Sequence, residues 1–270
     1  MQIANKTFVV TGAGSGIGRE LTLQLLKKGA NVAGVDIHPN TLHDTQQLAG
    51  DDHKCFMAFP LDITDREAVG QLPQAVVGHF GAVDGLINNA GIIQPFKPVQ
   101  ELTMDEIDRV LHVNFYGTLY LTKAFLPLFL ERPEAHIANV SSMGGFLSVP
   151  GQTIYGAAKA AVKLFTEGLY AELINTQVNV TVIFPGAIAT NITENSGLGK
   201  PKASSNSASE SKIKPLPAPK AAQIILDAIE KNKFRVTVGS DARFLDLLYR
   251  FNPKYATNLI QKKMKSLLTM

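Results

Sequence analysis

The chain has 270 residues, 45% hydrophobic and 18% charged, enough for one large α/β domain or two small ones with a sizeable core. A single cysteine, Cys55, rules out an intramolecular disulfide and points to a reducing, cytoplasmic setting, and six histidines without HxH or HExxH pairing predict no metal site. Of the net +3, residues 231–270 carry nine Lys/Arg against two Asp/Glu and the first 230 residues 17 against 21; the basic character therefore belongs to the tail, and no basic face interleaved with aromatics offers itself to nucleic acid.

The N-terminus runs straight into a predicted strand, KTFVVTG (6–12), with no signal peptide expected, and no apolar run in the chain is long enough to span a membrane. That strand ends in TGAGSGIG, Thr11–Gly18, and passes into a helix predicted at 17–28. Glycines 12, 16 and 18 permit a tight turn, close approach to a pyrophosphate and close helix–strand packing, and the helix N-terminus offers N–H groups to the phosphates. The second strand, NVAGVD (31–36), ends in Asp36, eighteen residues beyond Gly18. A carboxylate there can accept both ribose hydroxyls of an adenosine and repels a 2′-phosphate. Neither Ile37 nor Ser15 supplies a cation to hold that phosphate, so NAD is expected over NADP. CFMAFPLD (55–62) reads as the third strand, with Cys55 inside it; Asp62 and Ile63 at its end can meet an adenine amino group and ring.

A helix at 65–80, a fourth strand VDGLINNAG (83–91), a helix at 104–129, a fifth strand HIANVSS (136–142) and a helix at 153–176 follow. Tyr155 and Lys159 lie four apart on that last helix and so share a face. After the sixth strand, NVTVIFPG (179–186), residues 193–220 are rich in Ser, Lys, Pro and Ala. They read as a surface loop or, given their place after a strand's C-terminal end, a lid over bound substrate. A helix at 219–232 and a seventh strand, FRVTVG (234–239), complete the alternation, which implies a parallel sheet covered on both faces over residues 1–240. The tail, 241–270, reads as two amphipathic helices broken at Asn252-Pro253. Phe244, Leu245, Leu248 and Phe251 fall at helical spacing, as do Leu259, Ile260, Met264, Leu267 and Leu268, with lysines 262, 263 and 265 between. Packing on the body or a second subunit is the first reading. A basic helix on an anionic membrane surface is the second, and a cover over the substrate site the third.

Six ordered elements resemble the short-chain dehydrogenase/reductase family in its compact single-domain branch, over roughly residues 4–240. They are T-G-x-x-x-G-x-G (Thr11, Gly12, Gly16, Gly18), Asn88-Asn89-Ala90-Gly91, Asn114, Ser142 thirteen residues ahead of Tyr155, Tyr155 with Lys159, and Pro185-Gly186 with Thr190. The resemblance implies a Rossmann-type doubly wound parallel seven-stranded sheet of order 3-2-1-4-5-6-7 and hydride transfer between NAD(H) and a secondary alcohol or ketone. Tyr155 is implied as acid/base, with its pKa lowered by Lys159; Lys159 also binds the nicotinamide ribose. Ser142 holds the substrate oxygen, with Ser141 as its competitor, and Asn114 anchors a water linking Lys159 to solvent or else satisfies backbone. The implied cofactor set takes in Ser15, Ile17, Asn89, Ala90, Gly91, Pro185, Gly186, Ile188 and Thr190 beside the glycines, Asp36, Asp62 and Ile63; Thr11 ties the central strands.

The substrate is expected between loops 92–98, 143–153 and 187–197, walled by Ile93, Phe96, Met143, Phe146, Leu147, Val149 and Ile192. Such a pocket suits an apolar, medium-sized substrate. No arginine lies in these loops to clamp an anion, and Lys97 is expected to be exposed. Two rival functions are a catalytically idle dinucleotide sensor or scaffold and a sugar-nucleotide epimerase; the loop spacing and short tail disfavour the second. The resemblance further implies a homotetramer or homodimer paired through helices 104–129 and 153–170.

Overall fold

The computed structural model describes residues 1–199 and 214–264. Seven strands form one parallel sheet: β1 (Thr7–Thr11), β2 (Asn31–Asp36), β3 (Phe56–Pro60), β4 (Gly85–Asn88), β5 (Ala135–Val140), β6 (Val178–Pro185) and β7 (Arg235–Val238). Their spatial order is β3-β2-β1-β4-β5-β6-β7, the order the sequence implied. Every residue of β1, β4 and β5 is buried, which explains their largely apolar composition, since central parallel strands are covered on both sides. Alternation along β1 divides the core. Phe8 and Val10 face α1 (Gly16–Lys27) and α8 (Ala218–Glu230) through Leu21, Leu25, Ile225 and Ile229. Val9 faces α3 (Arg66–Phe80), α5 (Gly117–Leu130) and α6 (Thr153–Leu173) through Leu72, Val76, Phe125, Phe129 and Leu169.

Several elements depart from expectation. Helix α2 (Pro39–Leu48) was not read from the sequence, because it buries only Leu42 and Thr45 and so carries almost no apolar period. Cys55 does not lie in a strand; it ends a 3₁₀ segment, Gly50–Cys55, and is exposed. The helix expected at 104–129 is α4 (Met104–Leu111) and α5 joined by a π-helical turn at His112–Tyr116. Of the expected lid, residues 200–213 lie outside the described residues. Its described ends form the short helix α7 (Ile192–Asn195) and the pair Leu216–Pro217, which bonds to Ile188–Ala189.

The tail forms α9 (Ser240–Phe251) and α10 (Pro253–Lys263), broken where expected, with the Asn252 side chain accepting from the Tyr255 N–H at 3.0 Å. Its buried apolar residues are Ala242, Leu245, Ala256 and Ile260, the last three packed with Leu147. Phe244 and Phe251, expected on that face, point outward, Phe251 being 87% exposed. Residues 265–270, with Lys265, Leu267 and Leu268, lie outside the described residues.

Candidate active site

The C-terminal edge of the sheet opens into a cleft of about 900 Å³. Its floor begins at the β1–α1 turn. Gly12 and Gly16 have φ of +68° and +52°, conformations that favour glycine, and a Cβ on Gly18 would strike the Gly12 carbonyl. Among the described residues no side chain caps the N-terminus of α1; its first-turn N–H groups can serve an anion. Beneath the turn, the Thr11 hydroxyl accepts from the Asn89 and Ala90 N–H groups, both at 2.9 Å, and Asn89 Nδ2 donates to the Thr11 carbonyl at 2.9 Å. Thr11 therefore ties β1 to β4.

At the far end of the turn stands Asp36. Its Oδ2 accepts from Gly14 N–H at 3.0 Å and its Oδ1 from His38 N–H at 3.1 Å, which fixes the carboxylate at the cleft wall. Arg19 lies nearby, but its guanidinium is taken by the Gly14 and Thr41 carbonyls, the Thr45 hydroxyl and Asp44. Asp62 and Ile63 line the cleft beside it, the Asp62 carboxylate also accepting from the Thr64 N–H and hydroxyl, each at 2.8 Å.

The opposite end gathers Ser142, Tyr155 and Lys159; Pro185, Gly186 and Ile188 also line the cleft, and Thr190 lies against the glycine turn, where a Cβ on Gly16 would meet its side chain at 3.2 Å. Ser142 Oγ accepts from Gly144 N–H at 3.0 Å and lies within hydrogen-bonding reach of the phenol. Ser141 instead donates to the Lys159 carbonyl at 2.7 Å and fastens β5 to α6. The Lys159 ammonium donates to the Val140 carbonyl at 2.9 Å. Burial lowers its pKa to about 8, and burial raises that of Tyr155, which the Ser142 hydrogen bond only partly offsets. The expected lowering of the phenol by Lys159 is thus not a property of the protein alone: the ammonium is aimed at Val140 and desolvation dominates.

Asn114 is fully buried and lies behind the cleft, not on its surface. Its Nδ2 donates to the carbonyls of Ile92 at 2.9 Å and Val110 at 3.0 Å, and its Oδ1 accepts from Ile92 N–H at 3.2 Å. It thereby occupies the Val110 carbonyl at the π-turn, where the i→i+4 ladder is interrupted. Asn114 Oδ1 and Lys159 Nζ converge on Gly91, where a Cβ would meet them at 2.7 and 3.1 Å.

Other residues of the site were not legible in the sequence. Gln94, fully buried, accepts at Oε1 from the N–H groups of Ile154 (2.8 Å) and Tyr155 (3.0 Å), capping α6 from a loop some sixty residues earlier; Gln152 Nε2 donates to its carbonyl at 2.7 Å. Asn195 of α7 donates to Ser15 Oγ at 2.7 Å, and Ser196 Oγ accepts from Ile93 N–H at 2.9 Å, so α7 bridges the glycine turn and the β4 loop. Arg109 and His112 reach the cleft from α4 and the π-turn, so a cation does stand near it although the three loops hold no arginine. Lys97 is tied to Glu106 at 2.8 Å rather than free, and that bond holds Glu106 below the usual carboxylate range. Of the expected walls, Ile93, Phe96 and Ile192 line the large cleft, and Met143 and Val149 a smaller cavity beside it. Phe146 and Leu147 do not; the turn at Met143–Gly145 sends them into the tail, Phe146 against Phe184 and Tyr249.

Residues 6–200 match the family model described as short chain dehydrogenase. A Mycobacterium tuberculosis protein carrying the oxidoreductase name SadH is 38% identical over 249 residues, 91% of this chain and 90% of that protein. A Burkholderia phymatum short chain dehydrogenase/reductase solved in complex with NAD superimposes with a TM-score of 0.78 at 27% identity, covering 88% of this chain and 90% of that one. A Burkholderia cenocepacia short chain dehydrogenase solved with NADP gives 0.79 at 27% identity, covering 96% and 99%.

Proposed function

The chain belongs to the short chain dehydrogenase family, and from that premise we propose that it transfers hydride between NAD(H) and an apolar, medium-sized secondary alcohol or ketone. The observation that carries this reading is the convergence of Ser142, Tyr155 and Lys159 at one end of a cleft whose other end is an uncapped helix N-terminus and Asp36. The residues present fit a nicotinamide dinucleotide, with the pyrophosphate over Gly12–Ile17 and the nicotinamide end toward Ala90, Gly91, Ile188 and Thr190. When bound, that group accepts or supplies the hydride, and its oxidised ring adds a positive charge near the phenol.

The chain's own part is proton handling and orientation. Ser142 donates a hydrogen bond to the reacting oxygen, so that charge builds against a fixed donor. Tyr155 takes the hydroxyl proton at its phenol oxygen in oxidation and returns it in reduction. A phenol raised by burial is a competent acid at neutral pH; to act as a base it depends on a cation close by. Lys159 holds the nicotinamide ribose, and Asn114, its amide bonded to the Ile92 and Val110 backbone, fixes the Gly91-Ile92 backbone beside that ammonium.

NAD is favoured over NADP because two backbone N–H groups fix the Asp36 carboxylate at the cleft wall, where it would meet an adenosine ribose, and the nearby Arg19 spends Nε and Nη2 on Gly14, Thr41, Thr45 and Asp44. The solved relatives show that this fold accommodates either cofactor. We further infer a homo-oligomer paired through α5 and α6, with Leu164 exposed on α6 and Tyr116 exposed in the π-turn that leads into α5. Among the described residues no helix is long and apolar enough to cross a membrane, and the buried face of α10 is used on the body.

The test is NADH oxidation and NAD reduction across paired ketones and secondary alcohols of increasing lipophilicity, with Tyr155→Phe beside the parent. Turnover lost in the variant with NADH binding retained supports the reading. NADH binding without any turnover favours the idle sensor, and no binding of either cofactor sinks the reading of the glycine turn.

A further inference from the structure

Beside the large cleft lies a second cavity of about 130 Å³, and the two share Ile93, Phe96, Ser142 and Tyr155. The smaller one therefore begins where the proposed chemistry ends. Its remaining wall is Met143, Gly144, Val149 and Gln152 with Met264, which immediately follows α10. Apolar side chains from three separate segments meet there, and one of those segments is the tail, which lies beyond the 6–200 family match.

The placement of Met264 is enforced by the whole tail. Asp241, in the first turn of α9, accepts from Ala187 N–H at 2.7 Å and so fixes α9 against the Pro185-Gly186 turn. Arg235 of β7 grips Asp246 through two bonds of 2.7 and 2.8 Å, while Arg250 adds a third contact at 3.3 Å. Burial alone would raise the Asp246 carboxyl, yet the two arginines hold it below its ordinary value. Helix α10 then seats Ala256 and Ile260 against Leu147 and Leu245, and the Met264 N–H closes the last turn on the Ile260 carbonyl at 2.9 Å. Leu147 belongs to the same loop as Met143 and Val149. One hydrophobic cluster thus sets both the loop wall and the tail wall of the cavity.

We propose that this cavity is the subsite for the smaller substituent of the ketone or secondary alcohol, and that Met264 is its specificity-determining wall, admitting a compact apolar group of a few carbons. The inference rests on the reading that Ser142 and Tyr155 act on a carbonyl/alcohol pair. An unbranched, polarizable thioether suits such a wall, because it adapts to several small shapes without offering a strong hydrogen-bond partner. One methylene in an apolar pocket is worth about 10–200-fold in discrimination, so a change of wall volume reads directly in substrate ranking.

The test compares the parent with Met264→Ala and Met264→Trp in NADH-dependent reduction of methyl ketones and of ketones whose smaller substituent grows from methyl to butyl. Met264→Ala should move the optimum toward the larger substituents by at least about 10-fold in relative kcat/KM, and Met264→Trp should confine turnover to methyl ketones. NADH affinity should be the same in all three. A ranking unchanged in both variants overturns the proposal. A second readout needs no turnover: in protein labelled at the methionine methyls, the signal missing from Met264→Ala is that of Met264. It should shift on titration with an aliphatic ketone in the presence of NADH. A parent that turns over no ketone sinks the underlying reading, whereas a Met264 signal that stays fixed at saturating ketone sinks the subsite itself.

Discussion

Lys159 carries its charge in a buried site, and burial brings its pKa to about 8. Its ammonium is therefore present at pH 7 and lost across the upper working range, and any bond it donates to ribose hydroxyls goes with it. NADH affinity, measured by fluorescence titration, is expected to weaken from pH 7 to 9, and Lys159→Met should bind more weakly at pH 7 and show no such step. Asp36 makes a separate prediction. Removing a carboxylate that two backbone N–H groups hold at the cleft wall leaves nothing to repel a 2′-phosphate, so Asp36→Ala should lower the NAD/NADP ratio of kcat/KM by at least about 10-fold. A ratio unchanged in the variant would place the selectivity elsewhere. These residues could be singled out from the chain because each sits at a fixed spacing after a turn or along one helix. Gln94 could not, because nothing in IIQPFKP signals that its amide reaches α6.

That contact belongs to the scale of elements. Helix α6 brings Tyr155 to the cleft within its first turn, where N–H groups have no intrahelical partner. No side chain of the local N-cap residue, Gln152, serves them; the Gln94 carbonyl oxygen of the side chain takes two. Gln94→Ala should therefore cost about 1–2 kcal/mol in urea unfolding. Because Gln94 touches only the backbone of Tyr155, it is a positioning residue, and kcat should fall by about 10-fold or more with KM for NADH little changed. Equal stability of variant and parent would show the cap to be idle. The alternation of strands and helices was legible because strands buried on both faces are mostly apolar, as β1, β4 and β5 are apart from Thr7, Thr11, Asn88, His136 and Asn139. Elements held by polar or distant contacts were not: α2 has only two buried residues, and the π-turn depends on Asn114 finding the Ile92 backbone.

At the scale of the molecule, two features lie outside the cleft. Leu164, 68% exposed on α6, and Tyr116, 39% exposed beside α5, face solvent on the helices expected to pair. Leu164→Glu is expected to reduce the molar mass seen by light scattering, and a parent already monomeric would remove the inferred pairing. The other feature is His136, buried in β5 far from the cofactor turn. The Thr181 hydroxyl donates to the Lys233 carbonyl at 2.6 Å, so it accepts from His136 Nε2 at 2.8 Å, and Nδ1 makes no well-formed hydrogen bond among the described residues, although the Asn232 side chain lies near. Burial, aided by the charged N-terminus, lowers the His136 pKa to about 3 from an ordinary 6.5. Between those values the unfolded chain binds a proton that the native protein refuses, so stability must rise with pH there and fall on acidification. One such group contributes at most about 1.4 kcal/mol per pH unit. Urea unfolding from pH 4 to 6 should accordingly show a slope in the parent that shrinks by up to that amount in His136→Asn. Both proteins would lose stability in parallel if some other group governed the acid limb. A histidine on a strand is silent about this in the sequence, since its neighbours Thr181 and Lys233 come from β6 and the β7 approach, more than forty residues away.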